Sequence, residues 1–155
     1  MTNDDILELI RRCDLSKGKV LIPNQAYLFH RDFRLNGFNY EDTELIVLVK
    51  SGIKAGGIYR MGSYDMHWVI KPKFRGQHIL SNFFRTGVIN EIWPENKSVK
   101  LCDVYSESEY SKKKHLADLL DLSIKNQKEI ESFLSYVEEQ KKKHSNDVTD
   151  TGDCK

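Results

Sequence analysis

The sequence predicts an α+β fold with a mixed, mainly antiparallel sheet that contains a βαβ unit, is flanked by helices and is followed by a helical C-terminus. Three observations support this fold class. Short apolar runs separated by Gly-containing turns occupy the middle of the chain. A segment with helical spacing of apolar residues follows, and another strand-like run comes after it. Residues 106–145 then contain neither Gly nor Pro.

The first part of the chain is predicted to contain one helix and weaker strand signals. Apolar residues recur at helical spacing over residues 2–16, behind a candidate N-cap at Thr2 or Asn3, so we expect an amphipathic helix there. Residues 19–30 contain a short strand-like run that is interrupted by a proline. Residues 31–42 are polar and aromatic, and their Asn-Gly dipeptide indicates a turn.

The middle of the chain is predicted to form an antiparallel meander. Residues 44–50 are a continuous apolar run rich in β-branched residues, which indicates a buried strand. Residues 53–61 and 66–71 give two more strands on short turns. Gly56 and Gly57 lie inside the second strand, where glycine indicates a bulge or a close approach of the backbone.

A βαβ unit is predicted to complete the sheet. Residues 77–93 have a wide apolar stripe at helical spacing, and Pro94 ends the helix. Residues 98–105 are again strand-like. Because strand, helix and strand follow one another, we expect the strands at 66–71 and 98–105 to be parallel neighbours.

The C-terminal third is predicted to be helical. Asn126 is followed by Glu129 as in a capping box, which favours two helices over one long helix. A single helix used for self-association is the alternative. We therefore divide the chain into a domain at residues 1–122, a helix at residues 123–144 that packs or associates, and a disordered tail at residues 145–155. Association would give a homodimer through the C-terminal helices.

Composition excludes several classes of protein. The chain has 155 residues, of which 39% are hydrophobic and 10% are aromatic, so it can form a folded core. A net charge of +1 gives no general attraction for nucleic acid or anionic lipid. No apolar run approaches the roughly 18 residues that a membrane span needs. The acidic N-terminus does not resemble a signal peptide. The three cysteines are widely spaced and indicate neither a disulfide framework nor a metal site, so we expect a cytoplasmic protein.

One segment, residues 69–81, carries chemical information. A strand ends before Pro72, a short loop carries Arg75 and Gly76, and an amphipathic helix begins at once. The first amides of a helix lack intrahelical partners and carry partial positive charge. Gly76 permits a close approach of the backbone and Arg75 adds a full charge, so this turn suits a pyrophosphate. An ordinary strand-to-helix turn with an exposed arginine is the alternative interpretation.

The order of these elements resembles that of the GNAT (N-acetyltransferase) superfamily. The resemblance is centred on residues 69–81 and extends over about residues 44–120. In that family a strand runs into the pattern Pro-x-x-Arg-Gly-x-Gly-x-Gly/Ala and then into a helix. Pro72, Arg75 and Gly76 match that spacing.

The resemblance implies transfer of an acetyl group from acetyl-CoA, a cosubstrate, to a primary amine, without a metal. The amine would attack the thioester carbonyl directly, in a cleft between two splayed strands. The pantetheine arm would pair with main-chain groups of Val69 and Ile70. The pyrophosphate would lie on the backbone amides of Arg75, Gly76, Gln77, His78, Ile79, Leu80 and Ser81.

The sequence also departs from the family pattern. His78 and Leu80 occupy its later glycine positions, and the family's terminal pattern is not found after Tyr105. A catalytically inactive GNAT-like binding or assembly module is therefore an alternative function. Contact with nucleic acid through the lysine clusters at residues 112–114 and 141–143 is a third hypothesis, which acidic neighbours of both clusters weaken.

The candidate catalytic residues lie on or beside the two strands expected to line the cleft. A base must accept a proton from the amine, and an acid, often a tyrosine in the GNAT superfamily, favours departure of the thiolate. His67 shares a strand face with Val69, whereas Asp103 and Tyr105 lie near the C-terminal end of the second strand. Tyr110 is an alternative acid. Each of these residues could instead have a purely structural role.

Overall fold

The computed structural model describes residues 2–35, 37–41, 43–61, 66–95, 98–101 and 103–147, in which one helix is followed by seven strands and then by a mainly helical segment. The helices are α1 (Asn3–Arg12), α2 (Ile79–Arg85), α3 (Val88–Ile92), α4 (Glu107–Leu119) and α5 (Gln127–Asp147). The strands are β1 (Lys19–Ile22), β2 (Ala26–His30), β3 (Phe33–Leu35), β4 (Phe38–Tyr40), β5 (Thr43–Lys50), β6 (Ile53–Met61), β7 (Met66–Ile70), β8 (Ser98–Val99) and β9 (Ser123–Ile124).

A five-stranded antiparallel sheet in the order β1-β2-β5-β6-β7 forms the centre of the fold, which is therefore α+β. The predicted meander is confirmed as β5, β6 and β7. Gly56 and Gly57 permit two close approaches, as the sequence indicated. A Cβ atom at Gly56 would lie 2.3 Å from the carbonyl oxygen of Val69 in β7, and one at Gly57 would lie 2.8 Å from Cδ1 of Ile10 in α1.

The predicted N-terminal helix is confirmed as α1, and Thr2 caps it. The side-chain oxygen of Thr2 accepts a hydrogen bond from the N–H of Asp5, and the Asp5 carboxylate accepts one from the N–H of Thr2. Ile6, Leu9 and Ile10 form the buried face of the helix, which packs against one side of the sheet. This helical spacing explains why α1 was predictable.

The segment at residues 19–42 holds more strand than the sequence predicted. Residues 19–30 form two strands, β1 and β2, around a turn in which Asn24 has a φ of 56°. Both strands belong to the central sheet. Strands β3 and β4 pair in antiparallel fashion on either side of the predicted Asn-Gly turn, whose Asn36 lies outside the described residues.

The single helix predicted at residues 77–93 is wrong, because the structure has two short helices there. Helix α2 ends at Arg85 and α3 begins at Val88. Gly87 separates them with a φ of 74°, a left-handed conformation that an α-helix cannot include. The apolar stripe continues across the break because both helices pack on the same side of the sheet.

The predicted βαβ pairing is also wrong. Among the described residues of the range 98–105, which leave out Cys102, only Ser98–Val99 is a strand, and it pairs in parallel with β9 instead of β7. Asp103 has a left-handed φ of 53°, which a β-strand does not include. Among the described residues, β7 is therefore an edge strand of the central sheet.

Two helices in the C-terminal third are confirmed as α4 and α5. Asn126 was predicted to cap α5, but its side-chain amide instead forms two hydrogen bonds with the main chain of Leu101. Helix α5 extends to Asp147, beyond the predicted start of a disordered tail at residue 145. Residues 148–155 of that predicted tail lie outside the described part of the chain.

The sheet separates two hydrophobic cores. One side packs on α1, through sheet residues such as Leu45, Val47 and Val69. The other side packs on α2, α3, α4 and α5, and includes Ile130 and Leu134 of α5. Within the described residues, no helix combines the length and the apolar character that crossing a membrane requires.

Candidate functional site

An open groove lies between the edge strand β7 and the chain at residues 100, 101 and 103, and we call it the β7 groove. Its volume is about 410 Å³. The groove separates the two segments that the sequence predicted to be parallel neighbours, because β8 pairs with β9 instead. It is lined by Asn3, His67, Trp68, Val69, Ile70, Arg75, Leu80, Lys100, Leu101, Asp103, Lys113 and Leu116.

The β7 wall of the groove is the outer edge of the sheet. The N–H of Lys71 donates to the carbonyl oxygen of Ala55 in β6 at 2.9 Å. Because hydrogen bonding alternates along an antiparallel strand, the main-chain groups of Val69 also face β6, and those of Trp68 and Ile70 face the groove. Of the two residues predicted to pair with the pantetheine arm, Ile70 therefore faces the groove and Val69 does not. The carbonyl oxygen of Ile70 already accepts a hydrogen bond from Arg75.

Arg75 lies at the end of the β7 wall. Its Nε donates to the carbonyl oxygen of Ile70 at 3.1 Å. Pro72–Phe74 form a single 3-10 turn, and the N–H of Arg75 donates to the carbonyl oxygen of Pro72 at 3.2 Å. These bonds hold the guanidinium group beside the last residue of the strand.

The opposite wall is held in place by side chains from the C-terminal third of the chain. The amide of Asn126 accepts from the N–H of Leu101 at 3.1 Å and donates to its carbonyl oxygen at 2.9 Å. Lys113 Nζ in α4 donates to the carbonyl oxygen of Asp103 at 2.9 Å. This wall therefore stays apart from β7 because other elements occupy its hydrogen-bonding groups.

The groove combines apolar walls with an excess of positive charge. Arg75, Lys100 and Lys113 contribute three cationic groups, and Asp103 contributes one carboxylate. Leucine and tryptophan side chains line the space between them. Such a site favours an extended ligand that has both an apolar segment and an anionic group.

Comparison with known proteins does not identify this site. No protein-family model matches it, and no similar protein is found among curated proteins or solved structures. The function must therefore be argued from the groove itself.

Two of the three candidate catalytic residues, His67 and Asp103, line the β7 groove. Tyr105 is 66% exposed and does not line it. The Tyr105 hydroxyl lies 3.4 Å from Oδ1 of Asp103, so it belongs to the rim of the groove. Tyr110, the alternative acid, is buried and points elsewhere, since its hydroxyl donates to Oε1 of Glu131 in α5 at 3.1 Å. Burial raises the pKa of Tyr110, and the bond to Glu131 raises it further.

The residues predicted to bind the pyrophosphate, Arg75 to Ser81, form what we call the predicted cradle. Those of them that line a cavity are divided between two cavities. Arg75 and Leu80 line the β7 groove. Gln77 and Ile79 line a separate cavity of about 310 Å³ beside β5, where Gln77 accepts a hydrogen bond from Lys50 Nζ at 2.6 Å.

The backbone of the cradle also differs from the predicted course. Gly76 and His78 both have left-handed φ values, 73° and 56°, so α2 begins only at Ile79. Ser81 is buried, and its hydroxyl donates to the carbonyl oxygen of His78 at 3.2 Å. The turn is therefore longer and less regular than a strand that leads directly into a helix.

Sequence reasoning missed the two lysines that give the far wall its charge. Lys113 belongs to the lysine cluster at residues 112–114, which the sequence suggested only as a contact for nucleic acid, and Lys100 lies in a segment predicted to be a strand. A helical wheel of α4 places Lys113 on the same face as the apolar Leu116 and Ala117, which was the available signal. In the described part of the chain, no cluster of three or more His, Cys, Asp or Glu residues is arranged to bind a metal ion.

Proposed function

We propose that this protein is an acyl-CoA-dependent N-acetyltransferase that binds its donor in the β7 groove and transfers the acetyl group to a primary amine. The single observation that carries the proposal is the open edge of β7 beside a basic, partly apolar wall. An acyl-pantetheine arm is a thin chain of amides and methylenes, and it can add to a sheet edge as an extra strand does. Its phosphates carry negative charge, which Arg75, Lys100 and Lys113 would attract.

The groove also holds groups suited to the transfer step. The amine nitrogen attacks the thioester carbonyl carbon, the carbon–sulfur bond breaks, and a thiolate leaves. His67 is the histidine lining the groove, and we assign it the role of accepting the proton that the amine loses. The Asp103 carboxylate would attract the cationic amine before it loses that proton. Tyr105, beside Asp103 at the rim, would donate a proton to the thiolate.

Thermal unfolding with and without CoA tests the binding part of the proposal. A ligand at 100 times its dissociation constant stabilises a fold by roughly 2.7 kcal/mol, which corresponds to a rise in Tm of roughly 5 to 10 °C for a chain of this size. Arg75→Glu should remove most of that rise, because it places a negative charge beside Ile70. Arg85→Glu is the matched control, since Arg85 is exposed on α2 and does not line the groove.

Turnover then separates the proposal from its alternative. Release of CoA thiol from acetyl-CoA should accelerate in the presence of at least one member of a panel of small amines, lysine peptides and free N-termini. Stabilisation by CoA without turnover across the panel would favour a catalytically inactive binding or assembly module. The absence of any stabilisation by CoA, or an equal loss with Arg85→Glu, would contradict both forms of the proposal.

A further inference from the structure

Helix α5 carries a stripe of residues whose spacing is that of a coiled-coil seam. The members follow one another at alternating intervals of four and three positions, and we call them the α5 stripe: Glu129, Phe133, Tyr136, Gln140 and Lys143. Residues with this alternation lie along one side of a helix and face a neighbouring helix in a coiled coil. The stripe therefore forms one continuous surface along most of α5.

The α5 stripe is not the surface that α5 uses within the chain. Ile130 and Leu134, on another side of the helix, are buried in the core shared with α2, α3 and α4. By contrast, Phe133 is 44% exposed and Tyr136 is 59% exposed. Aromatic residues are enriched at protein–protein interfaces, and two neighbouring exposed ones on a helix indicate a contact surface.

The two ends of the stripe carry opposite charges. Glu129 and Lys143 are both exposed, and Tyr136 lies midway between them in the sequence. Among the described residues, neither charged side chain has a hydrogen-bond or ion-pair partner, whereas Lys142 lies 4.0 Å from Glu138 in the same helix. The stripe is therefore complementary to a copy of itself that runs in the opposite direction.

We propose that the α5 stripe binds the α5 stripe of a second copy of this chain in antiparallel orientation, with the two-fold axis beside Tyr136. Glu129 of each copy then lies opposite Lys143 of the other, and Phe133 and Tyr136 pack between the two ion pairs. A parallel arrangement would instead bring like charges together at both ends. Because the same surface is used on both copies, the contact closes at a dimer.

The contact covers one side of a single helix, so the dimer is small in area and dissociates in dilute solution. None of the stripe residues lines the β7 groove. The dimer is therefore tested without any ligand, and its test does not depend on the proposed function.

Sedimentation equilibrium of the full-length protein under reducing conditions, over a wide range of concentrations, tests the proposal. The wild-type chain should show an equilibrium between monomer and dimer. Tyr136→Ser should raise the Kd of the dimer about tenfold or more, because it removes the aromatic group at the centre of the contact. Val20→Ser is the matched control, since Val20 is 52% exposed in β1 and lies outside the stripe. Far-UV circular dichroism checks that each variant is folded.

Reversal of the charges tests the antiparallel orientation. Glu129→Lys and Lys143→Glu should each raise the Kd, because each places like charges opposite one another. The double variant should regain most of the lost affinity, since both ion pairs are restored with their signs exchanged. Lys128→Glu, an exposed change outside the stripe, should leave the Kd unchanged.

Several results would overturn the proposal. A chain that stays monomeric at every concentration would leave the stripe to a different protein. A dimer that Tyr136→Ser does not weaken would use another surface. A double charge reversal that is as weak as the single ones would exclude the antiparallel pairing.

Discussion

Arg60 is a buried charged residue that joins several parts of the chain. It is only 8% exposed. Its Nε and Nη2 donate to Oε2 of Glu44 at 2.9 and 2.6 Å, and its Nη1 contacts Glu95. The guanidinium carbon lies 4.7 Å from the centroid of the Trp93 ring. One buried side chain therefore connects β6 to β5 and to the segment after α3.

Removal of the Arg60 charge should cost more stability than the change in side-chain volume alone suggests. We expect Arg60→Leu to lower the free energy of unfolding by about 3 kcal/mol, because it leaves the partly buried Glu44 carboxylate without its main counter-charge. Urea unfolding monitored by tryptophan fluorescence measures the change.

Arg12→Leu is the matched control for this prediction. Arg12 also pairs with a glutamate, Glu8, but its side chain is 53% exposed, so the change should be about 0.5 kcal/mol or less. Similar effects of the two substitutions would contradict a structural role for the buried arginine.

At the scale of single residues, the sequence predicted the β7 wall of the groove better than the opposite wall. His67, Ile70 and Arg75 could be placed together because they are close in sequence around one strand end. The side-chain orientation of Tyr110 could not be predicted, because its hydroxyl bonds to Glu131, which lies 21 residues later in another helix. The charge of the far wall likewise depends on how α4 packs.

At the scale of elements, the periodicity of apolar residues identified the long helices and strands. The points at which several of them end depend on the backbone conformation of single residues. The buried strand β5 and the helix α1 were predicted well because their apolar patterns are unambiguous. The apolar stripe of residues 77–93 could not reveal the left-handed φ of Gly87. The strand-like run of residues 98–105 likewise gave no sign of the left-handed Asp103.

The break at Gly87 can be tested by substitution, because the sign of the change in stability distinguishes two helices from one. In a continuous helix, Gly87→Ala would stabilise the protein by about 1 kcal/mol, since alanine favours helix. At a φ of 74° the same substitution should instead destabilise it by about 1 kcal/mol, although open space surrounds the position. Thermal unfolding measures the difference.

Asn90→Ala provides the control for the helix break. Asn90 is exposed inside α3, so alanine should leave the stability unchanged or raise it by a few tenths of a kcal/mol. A rise in stability with Gly87→Ala that exceeds the rise with Asn90→Ala would contradict the break between α2 and α3.

At the scale of the whole molecule, long-range pairing was the least predictable feature. The sequence favoured β7 and residues 98–105 as neighbours because a βαβ unit is the simplest connection between them. The structure instead pairs β8 with β9, 25 residues later, and Asn126 fixes the adjacent Leu101. This distant pairing leaves β7 without a second neighbouring strand in the part of the chain that the structure describes, so the candidate site depends on the C-terminal third of the chain.

Helix α5 should therefore contribute to the stability of the single chain, beyond any role in association. Leu134 is 3% exposed in the core formed with α2, α3 and α4, whereas the adjacent Phe133 is 44% exposed. We expect Leu134→Ala to lower the free energy of unfolding by about 3 kcal/mol through the lost burial and the cavity it leaves. Phe133→Ala should change it by less than about 1 kcal/mol. Urea unfolding at two protein concentrations measures both values. If α5 acted only in association, Phe133→Ala would have the larger effect, the effect would depend on protein concentration, and Leu134→Ala would be nearly silent.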